Sequence, residues 1–451
     1  MKKEHIRVVL VLLSFLLLSA CLAVPSTRQP KPDQPKGTIL PIATLSVRSS
    51  PPPTPVPTHS QPRLALPLDV SVEEMAYISN KSGMAEIWLL NLVTGTGKQL
   101  TETDCSSVAF TGGYVPEEYV SGVQHFIWAP DGLRIAYLAT CTHVTKQARL
   151  NVIDLETGSV IPITDRASES SYPSWAPSGD RFVFTLPPDL VRRGMYVAGF
   201  NEQDEFEIEP IEGTAWEDCL AGCYNAVWSP DGRYIAYRGP YVGLGTGSRT
   251  YVSIVDLDGN HVVYEPAVDH RTPWIHEPLS GGLVWSNNGH YLAIATGLGR
   301  TGAHLVLAEV TDQAAIMAEA FGLWQHFPDG LIPFGSSFRH PVFSPDDRTL
   351  YFVSLWPDNE DINVPFGTIY SVPVQDLLHD SSPSPDVRIV SPKDQLAGYP
   401  SLSPDGEWLF YAVKVGEATE IWLQAVDGSY QQRLIADGFV NTQPAWRPVG
   451  K

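Results

Sequence analysis

A short motif that recurs along the chain constrains its fold more than any other feature. It consists of a large apolar residue, a small residue, Pro, Asp and Gly, followed after two variable positions by an alternating apolar strand. Of the last three copies, the one at 285–289 lacks the Pro, the one at 343–347 lacks the Trp and the Gly, and the one at 402–406 lacks the Trp. Spacings of 47 to 59 residues match one four-stranded sheet with its loops. We call the first residue of each copy the anchor: Trp128, Trp175, Trp228, Trp285, Phe343 and Leu402.

The motif predicts a tight turn between two antiparallel strands. Pro presets φ at the second position of such a turn, and Gly takes the positive φ that other residues resist. A second apolar strand follows in each repeat, for example residues 150–154, and a turn at 156–158 leads to a short fourth strand. Large aromatic anchors are expected to face neighbouring sheets, where they bury the most area.

The two ends of the repeat region are fragments that complete each other. Residues 75–101 match the second, third and fourth strands of a repeat without its first strand. Residues 444–448 supply a first strand with no repeat after it. Six copies plus one sheet shared by both termini predict an all-β protein, a seven-bladed β-propeller spanning residues 68–451. A six-bladed ring is the alternative.

These repeats resemble the TolB-like propeller repeat, a WD-repeat-like pattern that also occurs in propeller domains of prolyl-oligopeptidase-type and tricorn-type peptidases. The resemblance covers about residues 68–448 and implies the fold. It does not imply an activity, because one fold serves many functions.

The N-terminus has the pattern of a targeting segment. Basic residues within 2–7 precede an apolar run at 8–18, which is short for a membrane span. The run ends in Leu-Ser-Ala-Cys, which resembles the bacterial lipobox. The resemblance implies a signal peptide at 1–20 and a mature N-terminus at Cys21 that carries lipid such as palmitate. An ordinary signal peptide with an incidental Cys is the alternative.

Residues 21–67 are expected to be a Pro-rich linker behind the lipidated Cys, stiff enough to hold a domain up to about 100 Å from the lipid. Residues 1–67 carry a net charge of +6, and the rest of the chain carries −26. Such an acidic body repels phosphate backbones, which argues against nucleic acid as a partner. We therefore expect a monomeric body anchored to the cell membrane on its extracytoplasmic face.

Four further cysteines predict two disulfides, because an even number in an exported chain is typical of a disulfide framework. Three connectivities are possible, and we favour Cys105 with Cys141 and Cys219 with Cys223. A metal site at the last pair is the alternative. The sequence contains neither a Gly-x-Ser-x-Gly nucleophile elbow nor a His-Glu-x-x-His zinc motif. These absences lead us to expect no metal, no cofactor and no enzymatic activity.

Any ligand is expected on the face that carries the long, variable connections, because loops displayed by a rigid scaffold carry function. Aromatic side chains there suit a protein or peptide partner of the cell envelope. The sequence thus favours a non-catalytic binding scaffold. The alternatives are aromatic residues that only pack their own loops, and a propeller enzyme of the glycan lyase or hydrolase type acting at the channel mouth. The candidate partner-binding residues are Tyr119, Trp216, Trp274, His276, Trp324 and Trp356.

Overall fold

The computed structural model describes fifteen stretches of the chain, which lie in one unit, residues 60–451. The described ranges are 73–104, 121–141, 147–168, 172–186, 194–200, 206–211, 223–241, 249–265, 282–295, 305–310, 315–318, 337–355, 366–378, 385–392 and 394–449.

The strands form seven antiparallel sheets of four strands each, which we number as blades 1 to 7. Blade 1 contains β28 (Asn441–Trp446), β1 (Glu74–Ser79), β2 (Glu86–Asn91) and β3 (Gly97–Gln99). Blade 2 contains β4 (Gly122–Trp128), β5 (Arg134–Thr140), β6 (Gln147–Asp154) and β7 (Val160–Ser168). Blade 3 contains β8 (Ser174–Trp175), β9 (Arg181–Leu186), β10 (Gly194–Phe200) and β11 (Phe206–Pro210).

The remaining blades follow in chain order. Blade 4 contains β12 (Tyr224–Trp228), β13 (Tyr234–Tyr241), β14 (Arg249–Asp256) and β15 (His261–Glu265). Blade 5 contains β16 (Leu283–Trp285), β17 (Tyr291–Ala295), β18 (Leu305–Val310) and β19 (Ala315–Ala318). Blade 6 contains β20 (Ser337–Phe343), β21 (Thr349–Leu355), β22 (Thr368–Pro373) and β23 (Arg388–Ile389). Blade 7 contains β24 (Ala397–Leu402), β25 (Trp408–Val415), β26 (Ala418–Ala425) and β27 (Gln431–Ile435).

The last strand, β28, closes the ring. It pairs antiparallel with β1, and Met75 lies opposite Trp446. The Trp446 indole stacks on Phe410 with ring centroids 3.9 Å apart, and its Nε1 donates to the carbonyl of Ser401 at 3.0 Å, both in blade 7. The prediction of a seven-bladed propeller whose termini share one blade is confirmed, and the six-bladed alternative is wrong.

The motif forms the predicted turn between the first and second strands of blades 2 to 7. Gly132, Gly179 and Gly232 have φ of 69°, 75° and 75°. A serine after the anchor adds two bonds that sequence reasoning did not include. Ser229 Oγ accepts the backbone N–H of Tyr234 at 2.9 Å and donates to the Asp231 carboxylate at 2.5 Å. This side chain therefore ties both ends of the turn together.

Two of the tryptophan anchors donate a hydrogen bond to the previous blade. The Nε1 of Trp175 donates to the carbonyl of Ile127 at 3.3 Å, and the Nε1 of Trp285 donates to the carbonyl of Val227 at 3.2 Å. In each case the acceptor immediately precedes the anchor of the previous blade. Aromatic side chains fill the space between sheets, as expected for large buried rings. The largest fully buried side chains include Tyr77, Tyr237, Tyr411, Phe182, Phe184, Phe352 and Phe410.

Helix contributes little to the described part of the chain. The helix α1 (Val374–Leu378) follows β22 and buries Val374 and Leu377. Within the described ranges, no helix combines the length and the apolarity needed to cross a membrane.

Candidate functional site in the central channel

Because the blades of a propeller surround a central channel, we infer that one structural position near the first strand of every blade faces it. It is the residue three places before each anchor, or before Trp446 in blade 1. We call this set the channel ring; in blade order it is Gln443, His125, Tyr172, Asn225, Gly282, His340 and Tyr399.

Backbone strain marks four members of the channel ring. Asn225, His340, Tyr399 and Gln443 have φ of 51°, 48°, 56° and 51°, in the left-handed region that non-glycine residues avoid. The pairing of each of these first strands with its neighbour shifts register at the same place, so each strand carries a bulge there. Bulges re-aim side chains and are frequent beside functional sites, as is stored backbone strain.

The ring residues contact one another. His125 Nδ1 lies 2.9 Å from Gln443 Oε1, and the His125 ring meets Tyr172 edge-on with centroids 4.4 Å apart. His340 stacks on Tyr399 at 4.5 Å. Blades 2 and 6 stand on opposite sides of the ring, yet His125 influences the titration of His340. Both imidazoles therefore project towards the channel axis.

The two histidines are held in the neutral form. Burial lowers the pKa of His125 to about 4. Burial, followed by the positive charge of Arg339 and by His125, lowers the pKa of His340 to about 3. Both ring nitrogens of His340 are buried and have no hydrogen-bond partner among the described residues. Burial also raises the pKa of Tyr399. At neutral pH the ring therefore presents uncharged donors and acceptors.

A buried arginine stands behind the one ring position that has no side chain. Arg238, on β13, is 7% exposed, and its Nη2 donates to the carbonyls of Gly282 (3.2 Å) and Ala295. A Cβ at residue 282 would lie 2.5 Å from this Nη2, so a larger residue there would displace the Arg238 guanidinium. Burial lowers the pKa of Arg238 to about 10, which still leaves it charged at neutral pH.

A cavity of about 720 Å³ occupies the channel. His125, Tyr172 and Asn225 contribute ring side chains to its lining. Its apolar walls include Ile127 and Val227. The turn-forming motif contributes further lining residues, which are Pro130, Asp131, Pro177, Ser178, Pro230, Asn287 and Pro404. The cavity therefore extends to the face that carries these short turns, which we call the turn face.

The six residues predicted to bind a partner, Tyr119, Trp216, Trp274, His276, Trp324 and Trp356, lie outside the described residues. Their role stays a prediction. Sequence reasoning missed the channel ring because its members share a register rather than a residue type. Counting three places back from each anchor would have found them.

Three of the predicted modification and disulfide sites, Cys21, Cys105 and Cys219, also lie outside the described residues. Cys141 and Cys223 are both disulfide-bonded. The Cys141 Sγ lies 3.6 Å from the carbonyl oxygen of Asp104. The two predicted pairings stay predictions. Among the described residues, no three His, Cys, Asp or Glu side chains stand together as a metal site would require.

Comparison with known proteins gives one sequence relative. The uncharacterized peptidase YuxL of Bacillus subtilis (strain 168) is 27% identical over 242 residues, which is 53% of this chain and 30% of YuxL. The match thus spans less than a third of that relative. No protein-family model matches the sequence.

Solved structures to which this chain is similar include TolB from Acinetobacter baumannii. It is 14% identical, with a TM-score of 0.40, and the match covers 83% of this chain and 66% of TolB. The propeller domain of the Trilobed protease from Pyrococcus furiosus is 13% identical, with a TM-score of 0.48, over 81% of this chain and 95% of that domain. The fold is a seven-bladed β-propeller, as the seven four-stranded sheets show.

The similarity to YuxL corrects one expectation from the sequence. A non-catalytic protein- or peptide-binding scaffold was expected, because the sequence shows no nucleophile elbow or zinc motif. That expectation, and with it the view that the chain is not an enzyme, is contradicted by a match to a peptidase over half of the chain.

Proposed function

We propose that this protein acts in peptide hydrolysis and that its propeller receives the peptide. The observation that carries the proposal is the 27% identity to the peptidase YuxL over 242 residues. The described residues supply a place for a peptide, since a cavity of about 720 Å³ has apolar walls and a few convergent polar groups. Ligand sites commonly combine these features.

The proposal is tested with the full chain and a library of peptides, with products identified by mass spectrometry. Hydrolysis is expected, and its cleavage positions define the specificity. A fluorophosphonate probe applied to the same protein reports whether the nucleophile is a serine. Failure to cleave any peptide, by a preparation whose circular dichroism shows folded β-structure, contradicts the proposal.

We also propose that the protein is attached to the membrane through a lipid on Cys21 and works on the extracytoplasmic side, with a monomeric body. The support is the lipobox-like sequence before Cys21 and the Pro-rich segment after it. Metabolic labelling with a clickable palmitate analogue should mark the protein and should fail for Cys21→Ser. Equal labelling of both proteins contradicts the anchor.

A further inference from the structure

The charge inside the channel differs in sign from the charge of the body around it. Residues 68–451 carry a net charge of −26. Beside the channel ring, however, lie two buried guanidinium groups, Arg238 at 7% and Arg339 at 4% exposure. Arg238 contacts the ring at Gly282, and Arg339 adjoins His340 in sequence and lowers its pKa. The part of the channel beside Gly282 and His340, which we call the floor, thus has a buried guanidinium group, that of Arg238, next to the ring.

Arg238 has no carboxylate partner among the described residues. Its hydrogen bonds are donated by Nη2 to two backbone carbonyls. Burying a charge is costly unless the charge is paired, and carbonyl dipoles compensate a full charge only in part. The planar guanidinium also has five N–H donors suited to a carboxylate. This position thus retains both charge and hydrogen-bonding capacity.

His340 supplies an independent observation. Both of its ring nitrogens are buried and have no hydrogen-bond partner in the part of the chain that the structure describes, and leaving a buried polar group unpaired is costly. Its backbone is also held at φ 48°, a strained conformation for a residue that precedes a proline. Unpaired polar groups that are kept at such a cost point to a ligand that supplies their missing hydrogen bonds.

We propose that the floor of the central channel binds a carboxylate group, with Arg238 as the charge partner and His340 as a neutral hydrogen-bond donor. Under the proposed function, on which this choice of ligand source rests, the group is the C-terminal carboxylate of a peptide lying in the cavity. A small free carboxylic acid has the same chemistry. The acidic exterior leaves the channel as the favoured location for such a group.

The test measures binding, so that it does not depend on hydrolysis. The probes are acetyl-Ala-Ala-Phe with a free carboxylate, the same peptide as its amide, and 3-phenylpropionate, each titrated into the full chain by calorimetry. The acid peptide should bind at least tenfold more tightly than the amide. Binding of 3-phenylpropionate with the affinity of the acid peptide supports the carboxylate site and assigns it to small acids. Equal affinity for acid and amide overturns the proposal.

Two variants identify the residues. Arg238→Gln should weaken binding of the acid peptide at least tenfold and leave the affinity for the amide unchanged. His340→Phe should weaken binding of the acid peptide. His340→Gln keeps a neutral donor and should therefore retain part of the affinity for that peptide. His290→Gln is the control, since His290 is exposed on a turn of blade 5. If Arg238→Gln fails to fold, the acid–amide comparison on the unchanged protein still decides.

Failure of this proposal is distinguishable from failure of the proposed function. Acid-selective binding without any hydrolysis leaves the carboxylate site intact and removes the peptidase role. Hydrolysis with no binding preference for the acid peptide leaves the peptidase role intact and removes the carboxylate site.

Discussion

Asp347 and Asn287 form a carboxylate–amide lock between the turns of blades 5 and 6. One carboxylate oxygen of Asp347 accepts the backbone N–H of Asn287 at 2.7 Å and its Nδ2 at 2.8 Å. The other oxygen accepts the N–H of Asn288 at 2.8 Å. Asp347 stands where the motif has Gly, and Asn287 stands where it has Pro. Two departures from the motif therefore compensate each other.

Elsewhere the same contact joins Gly to Pro. A Cβ at Gly232 would lie 3.4 Å from Pro177, and one at Gly289 would lie 3.7 Å from Pro230. The Asp–Asn pair replaces this apolar contact with charge-assisted hydrogen bonds, which are stronger than neutral ones. They also offset the positive φ of 58° at Asp347, which is unfavourable for a non-glycine residue.

The lock predicts strong coupling in a double-mutant cycle. Asn287→Pro alone removes two donors. Asp347→Gly alone removes the carboxylate that accepts from Asn287 and Asn288, although Asn287 Nδ2 keeps its bond to the Ser344 carbonyl at 3.0 Å. Each should cost about 1–3 kcal/mol of unfolding free energy. The double variant restores the motif and should lose less than the sum of the single changes by about 1 kcal/mol or more. Urea denaturation measures the three values, and strict additivity contradicts the lock.

The Gly–Pro contact predicts different costs at two glycines with the same backbone. Gly406 and Gly428 both have φ of 76°. A Cβ at Gly406 would lie 3.1 Å from Pro345, whereas one at Gly428 meets nothing within 4 Å. Gly428→Ala should therefore cost only the strain, about 1–2 kcal/mol. Gly406→Ala should cost more, by about 1 kcal/mol, because the turns must separate. Equal losses on thermal unfolding would show that the turns do not press together.

Ring closure predicts graded effects at Trp446. Trp446→Phe keeps a ring against Phe410 but loses the bond to the Ser401 carbonyl, at a cost of about 1 kcal/mol. Trp446→Ala also removes the packing and should cost about 3–5 kcal/mol. Guanidinium denaturation checks both values. A Trp446→Ala protein as stable as the unchanged chain is incompatible with closure through β28.

The buried histidines predict a pH dependence of stability. Their folded pKa values, about 4 for His125 and about 3 for His340, lie below the ordinary value of 6.5. The unfolded chain therefore binds protons first as pH falls. The contribution of these histidines to the free energy of unfolding is fully present above pH 6.5 and is lost progressively towards pH 4. The loss is about 1.4 kcal/mol per pH unit for each histidine.

Denaturation between pH 6.5 and 4.5 measures this slope above the range of the carboxylates whose pKa is lowered, such as Asp154 and Asp346. His340→Phe should remove about half of the slope, and the exposed control His290→Phe should leave it unchanged. An identical slope in the His340→Phe protein contradicts burial of a neutral imidazole.

The fold could be predicted from the sequence because its repeat combines turn chemistry with a fixed strand order. The fragments at 75–101 and 444–448 predict closure of the ring, and the pairing of β1 with β28 confirms it. The turn glycines adopt the positive φ that the motif requires.

The site could not be predicted in the same way. Channel-ring residues such as His125, Asn225 and Gln443 have no residue type in common, and their inward direction comes from bulges formed only when strands pair. One signal was available: Arg238 directly follows the apolar run Ile235–Tyr237, where a charge in a buried strand calls for explanation.

The central claim, that peptide lies in the channel cavity, is tested most directly by filling that cavity. Val227 lines it, and Val227→Trp should reduce peptide hydrolysis and acid-peptide binding at least tenfold while the melting temperature stays within a few degrees. The control is Val415→Trp, since Val415 is 50% exposed. Activity of the Val227→Trp protein equal to that of the unchanged chain, with the fold intact, would contradict the account.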